Sequence, residues 1–152
     1  MAGGDMDAGD VDARAATRRF IDLAWSAGRY EEARPLLDPD FVNHTPVNAN
    51  ESRDEFLTRI AAFRAAFPDL TMSVDDMLVD GQHVVTRWSA TGTHQGAFRG
   101  IEPTGAHVRF TGIAIDRVVA GRRVEGWAQL DMAGLLAQLE SAKISETNGV
   151  GS

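Results

Sequence analysis

Cysteine is absent from all 152 residues. Its absence removes disulfides, zinc ribbons, iron–sulfur clusters and thiol nucleophiles from consideration, and it leaves the redox compartment unspecified. Positive charge is in short supply. Fifteen Lys and Arg stand against 22 Asp and Glu, for a formal charge of -7 and a pI near 5.0. Such a surface repels polyphosphate and acidic lipid, so neither nucleic acid nor a membrane is expected as a partner. No apolar run approaches the roughly 18 residues that span a bilayer. The opening MAGGDMDAGD is acidic and Gly-rich, with no basic or apolar targeting region, and a cytoplasmic protein is expected. HExxH spacing, a facial triad, GxGxxG and a Walker loop are all missing. The expectation is therefore no metal, no flavin and no other bound cofactor.

What is present suits one compact domain. With 43% hydrophobic residues, the chain can bury a core over residues 11–140, between polar tails at 1–10 and 141–152 that lack the apolar surface to offset ordering entropy. After Asp10, read as an N-cap, Ala16, Phe20, Leu23 and Ala27 recur at helical spacing up to Gly28. A shorter helical piece, Tyr30 to Leu37, is interrupted by Pro35 and ended by Pro39. An extended run from Asp40 enters a loop at His44-Thr45-Pro46, with Phe41 expected in the core. Ser52 and Glu55 form a capping box before a third helix striped by Phe56, Ile60, Phe63 and Phe67.

From Leu70 the period falls to two, predicting strands over 70–79, 82–94, 108–119 and 123–130, with Ala120-Gly121-Arg122 as a hairpin connection. A last helical stretch, Met132 to Leu139, can seal one end of the sheet. Helices followed by long antiparallel strands make an α+β architecture, with helices packed on one side of a curved sheet that encloses a cone. Along the last strand, Glu125, Trp127, Gln129 and Asp131 share one face. A carboxylate, an indole and an amide together suggest the wall of a half-polar cavity.

A resemblance rests on several short motifs in order. They are Asp40-Phe41-Val42-Asn43-His44, Phe67-Pro68-Asp69-Leu70, Arg87-Trp88, Gly92-Thr93-His94-Gln95-Gly96, Pro103-Thr104-Gly105, and Glu125-Gly126-Trp127-Ala128-Gln129-Leu130-Asp131-Met132 followed by Gly134-Leu135-Leu136. Over roughly residues 12–139 the chain resembles the SnoaL-like polyketide cyclase family. The resemblance implies the nuclear-transport-factor-2-like cone, dimers or tetramers, an aromatic polyketide as small-molecule substrate, and either ring closure or, in one branch, hydroxylation. For the cyclases it implies an Asp that takes a proton beside a carbonyl, assisted by a His and an Asn. Asn43 matches the asparagine. Ala114 stands where the His is expected and Gln129, after a one-residue gap, where the Asp is expected, and neither accepts a proton usefully near neutral pH.

Several side chains keep two readings each. Asp131 could be a base, its pKa raised in an apolar cone, or the cap of the helix that follows. His44 could be a pocket acid or base, or a loop residue. His94 could donate to a ligand carbonyl or sit at the sheet end. Trp88 and Trp127 offer flat area for an aromatic ligand or fill the core. Asn43, Gln129 and His94 are candidate donors to an enolate oxygen, with Ala114 beside the substrate. The reaction is read as cofactor-free hydroxylation of a polyketide intermediate, with aldol cyclisation and simple small-molecule binding as alternatives. A homodimer through the helix-free outer sheet face is expected, since its apolar side chains are rarely left bare in water.

Overall fold

The computed structural model describes residues 8–150. Helix α1 (Ala8–Phe20) runs on into a π-helical turn, Ile21–Ser26. It starts two residues ahead of Asp10, so Asp10 lies within the helix. Gly28, at φ +68°, takes the left-handed conformation that turns the chain out of it. The interrupted second helix is observed as α2 (Tyr30–Ala33) and a single 3-10 turn, Arg34–Leu36. Strands β1 (Leu37–His44) and β2 (Glu51–Ser52) lead to α3 (Arg53–Ala66), whose Ser52–Glu55 capping box is complete. Then follow β3 (Thr71–Asp80), β4 (His83–Thr93), β5 (His107–Val119), β6 (Arg122–Leu130) and α4 (Met132–Val150). The β5–β6 turn is tighter than read, a two-residue Ala120–Gly121 connection with both φ positive.

The last helix is also longer than read. A polar tail is expected from Ser141, yet α4 continues to Val150. Buried Leu135 and Leu139 anchor its first turns, and no Pro or Gly interrupts the chain between them and Gly149. The tail expected at 1–10 lies mostly outside the described residues. Among the described residues no helix is long and apolar enough to cross a membrane.

Six strands in the order β2-β1-β6-β5-β4-β3 make a curved, unclosed sheet, antiparallel except where β1 runs parallel to β6. The helices pack against its concave side in an α+β cone. There Phe20 and Phe41 each stack on Phe56 with ring centres 5.6 Å apart, and Trp25, Phe63, Phe67, Phe98 and Phe110 continue the cluster. Cross-strand partners share a face, so the register defines transverse rows on the concave side. Trp88 lies beside Gly112 and Leu130; Thr86 beside Ala114 and Ala128; Val84 beside Asp116, Gly126 and Asn43. Beyond these a bulge between Arg117 and Val118 sets Arg123 opposite Val118.

Candidate active site

The concave rows line an interior cavity of about 160 Å3, closed by Thr17, Ile21, Trp25, Phe56 and Phe63 from the helices and opening past Pro46, Val47, Arg99 and Met132. The π-helical turn puts Ile21 and Trp25 on the same wall, a distortion often found where a helix lines a site. An engineered apolar cavity of roughly 150 Å3 takes up benzene. The closed end thus has room for one aromatic ring, with the remainder of a larger ligand reaching the mouth.

This cavity corrects the face expected from sequence. Glu125 and Trp127 project from the convex side of β6, and Asp131, just past its end, lies on that side too; on the concave side β6 presents Gly126, Ala128 and Leu130, of which Ala128 and Leu130 line the cavity. Alternation alone cannot choose between two faces, and the bulge further breaks the phase by sending Arg123 inward. Of the residues singled out, Asn43, Trp88 and Ala114 line the interior. Gln129 borders both the interior cavity and the outer groove, and its neighbour Ala128 is the residue paired with Ala114. The position opposite Ala114 is therefore a second alanine.

Asp131 is exposed, and its Oδ1 accepts from the Gly134 backbone N–H at 2.9 Å, capping α4. His44 is also on the outer side. Its Nε2 meets a Glu125 carboxylate oxygen at 2.8 Å, its Nδ1 meets the Ala49 carbonyl, and its ring lies 5.4 Å from Trp127. Because both partners are acceptors, the doubly protonated ring satisfies both. The hydrogen bond to Glu125, with help from the Ala49 carbonyl, raises the His44 pKa, and the same bond lowers that of Glu125. His94 is fully buried, but against Phe67 and the 103–105 loop, away from the cavity wall. The Thr104 N–H donates to its Nδ1 at 3.2 Å, which leaves the ring proton on Nε2, an atom with no protein partner.

The residue that sequence reading passed over is Asp116. It is 2% exposed, lines the cavity and pairs with Arg123 Nη2 in a buried ion pair. Arg123 in turn lies 4.6 Å from the centre of the Phe20 ring, a cation over an aromatic face. Burial pushes the Asp116 carboxyl up, with the Arg123 guanidinium pulling the other way. The signal was there in part: Asp116 is in phase with Phe110, Gly112 and Ala114, an apolar series in which a carboxylate stands out. Beside it, Asn43 donates from Nδ2 to Glu51 Oε1 at 3.0 Å, and Arg59 clamps Glu51 with contacts of 2.7 and 3.1 Å. This chain of bonds fixes the Asn43 amide so that Oδ1 faces Gly126. Among the described residues lining the cavity, Asp116 is the sole carboxylate.

Residues 15–139 match the family model of the SnoaL-like polyketide cyclases. The chain belongs to that family. Similar solved structures include IdmH from Streptomyces antibioticus, assigned provisionally as a polyketide cyclase, at 32% identity and TM-score 0.77 over 84% of this chain and 98% of that one. AclR from Streptomyces galilaeus, assigned provisionally as a hydroxylase, is 27% identical at TM-score 0.79, over 86% and 97% of the two chains. A SnoaL-like protein from Jannaschia shares 21% identity over 90% and 97% at TM-score 0.82, a likeness of fold. No curated protein is matched. The family thus has both cyclase and hydroxylase names among this chain's neighbours.

Proposed function

We propose that this SnoaL-like protein is a polyketide-tailoring enzyme of the hydroxylase-like kind, which forms and holds an enolate in the cone without a bound cofactor. The observation that carries the reading is the row Thr86, Ala114, Ala128. Aldol ring closure needs one group to take the α-proton and another to protonate the carbonyl oxygen that becomes a hydroxyl. In that row the two positions facing each other are alanines. One buried carboxylate, Asp116, remains to take a proton, and the Arg123 guanidinium beside it supplies positive charge where negative charge develops.

In this scheme Asp116 removes a proton from a methylene next to a carbonyl. The resulting carbanion forms a carbon–oxygen bond to dioxygen, and the peroxide anion takes the proton back. The hydroperoxide then loses water to leave a carbonyl, so one oxygen atom stays on the substrate, the other leaves as water, and no reductant is consumed. The cavity contributes a desolvated base, a seat for one ring and exclusion of bulk water.

A second reading, aldol cyclisation with Asp116 as base, is favoured by the 32% identity to IdmH. The two separate by mass. Linear and cyclised anthraquinone-type intermediates incubated under air and under argon should show uptake of one oxygen atom from dioxygen under air alone. Ring closure that proceeds equally well under argon, without oxygen uptake, would replace hydroxylation by cyclisation.

A further inference from the structure

The Thr86 side chain is 1% exposed, lines the cavity, and has no protein group within hydrogen-bonding reach of its Oγ1. A buried hydroxyl without a partner costs stability, and valine would fill the same β-branched shape at no such cost. Its cross-strand neighbours, Ala114 and Ala128, are short. They leave space above the sheet where longer side chains would have closed over the hydroxyl. Trp88 bounds that space on one side, and the Asp116–Asn43 row bounds it on the other. Successive rows on one face are two residues apart, roughly 7 Å along the strand.

We infer that Thr86 and the floor formed by Ala114 and Ala128 are an oxygen-binding subsite, taking a carbonyl or phenolic oxygen of the ring seated in the cavity. This rests on the enolate reading above and narrows its substrate class. In this arrangement the oxygen held by Thr86 is a second one, distinct from the enolate oxygen formed beside Asp116 one row away. The seated ring system therefore carries oxygens on two different edges, one for each row. A hydroxyl suits the remote oxygen, because it donates to a carbonyl and accepts from a phenol with equal ease.

The test uses Thr86→Val and Thr86→Ser with two probes, 1,5-dihydroxynaphthalene, which carries oxygens on opposite edges, and naphthalene, which carries none. Thermal melts of the free proteins and calorimetric titrations are the readouts. Thr86→Val should melt at or above the wild-type temperature, bind the dihydroxy probe about ten-fold more weakly, the loss of one hydrogen bond, and bind naphthalene unchanged. Thr86→Ser should bind the dihydroxy probe as the wild type does. A lower melting temperature in Thr86→Val would show that the hydroxyl serves the fold and would overturn the inference. So would equal loss of both probes, or no loss of either. A wild-type protein that binds neither probe would overturn the enolate reading and the subsite together, whereas wild-type binding with an indifferent Thr86→Val would remove the subsite alone.

Discussion

Asn43 on β1 and Asp116 on β5 bring side-chain oxygens to the same point from strands that do not touch each other. Between them β6 contributes only Gly126, where an added Cβ would stand 2.8 Å from Asn43 Oδ1 and 2.8 Å from Asp116 Oδ1. The glycine is what lets the amide and the carboxylate face one cavity. Gly126→Ala should push one or both aside, lowering turnover at least ten-fold and costing about 1–3 kcal/mol, the usual penalty for overpacking. Turnover and chemical denaturation of the variant check this; a wild-type rate would show that the juxtaposition is incidental.

Asp116→Asn should abolish the general-base contribution, about 10²- to 10⁴-fold in rate. It should also destabilise the fold by about 3–5 kcal/mol, because the Arg123 guanidinium is left buried without a counter-charge. The double variant Asp116→Leu/Arg123→Met separates the two effects: stability should return while turnover stays lost. Recovery of both would assign Asp116 a purely structural place.

The bond between His44 and Glu125 makes an outer-face pH dependence with two limbs. The raised His44 contribution is complete below its reference value of 6.5 and is lost as pH rises through the folded-state value. The lowered Glu125 contribution is complete above 4.5 and is lost as pH falls through its folded-state value. The melting-temperature difference between wild type and His44→Gln should therefore peak between those two reference values and fade toward pH 9. A difference that is flat from pH 4 to 9 would mean the pair adds no stability in solution.

Asp131→Asn should keep both stability and turnover, since asparagine caps as well as aspartate. Asp131→Ala should lose about 1 kcal/mol with turnover unchanged. Loss of activity in a stably folded Asp131→Asn would return the base to the outer rim.

The convex face of β4, β5 and β6 exposes Ile113 at 52%, Ile115 at 38% and Trp127 at 37%. Around them stand Arg87, Arg109 and Arg117 and the acidic Asp75, Glu125 and Asp131. With both signs on one patch, a two-fold apposition of identical faces can pair opposite charges around an apolar centre, so the expected partner is a second copy of this chain. Sedimentation at micromolar concentration should give a dimer for the wild type and a monomer for Ile113→Glu/Ile115→Glu. A monomeric wild type would leave this face without a partner.

Local signals in the sequence carried most of the fold. The Ser52–Glu55 box, the Phe56, Ile60 and Phe63 stripe, Gly28 and the turn residues each act within a few positions, and the elements they delimit stand as expected. What escaped depends on tertiary structure. Period-two alternation around Trp127 showed that β6 has two distinct faces; which one meets the helices depends on packing against α1 and α3. The bulge at Val124 has no local mark, so Arg123 was not seen to turn inward. Asn43 was found through a motif, while Asp116 was passed over because its partner sits seven positions on, across a turn and that bulge.

The parallel pairing of β1 with β6 also sets an order of events. Residues 37–44 find their partners at 123–127, so closing that ladder spans about eighty residues of chain. Such non-local contacts form late, because loop-closure entropy is spent before they contribute. The β3–β4–β5–β6 meander can assemble through successive hairpins while Asn43 still has only the two-residue β2 beside it. During synthesis β6 leaves the ribosome after every other strand of the sheet. The cavity is thus completed by the last long-range closure, and pulse-labelled hydrogen exchange during refolding should show the β1 amides protected after those of β4 and β5.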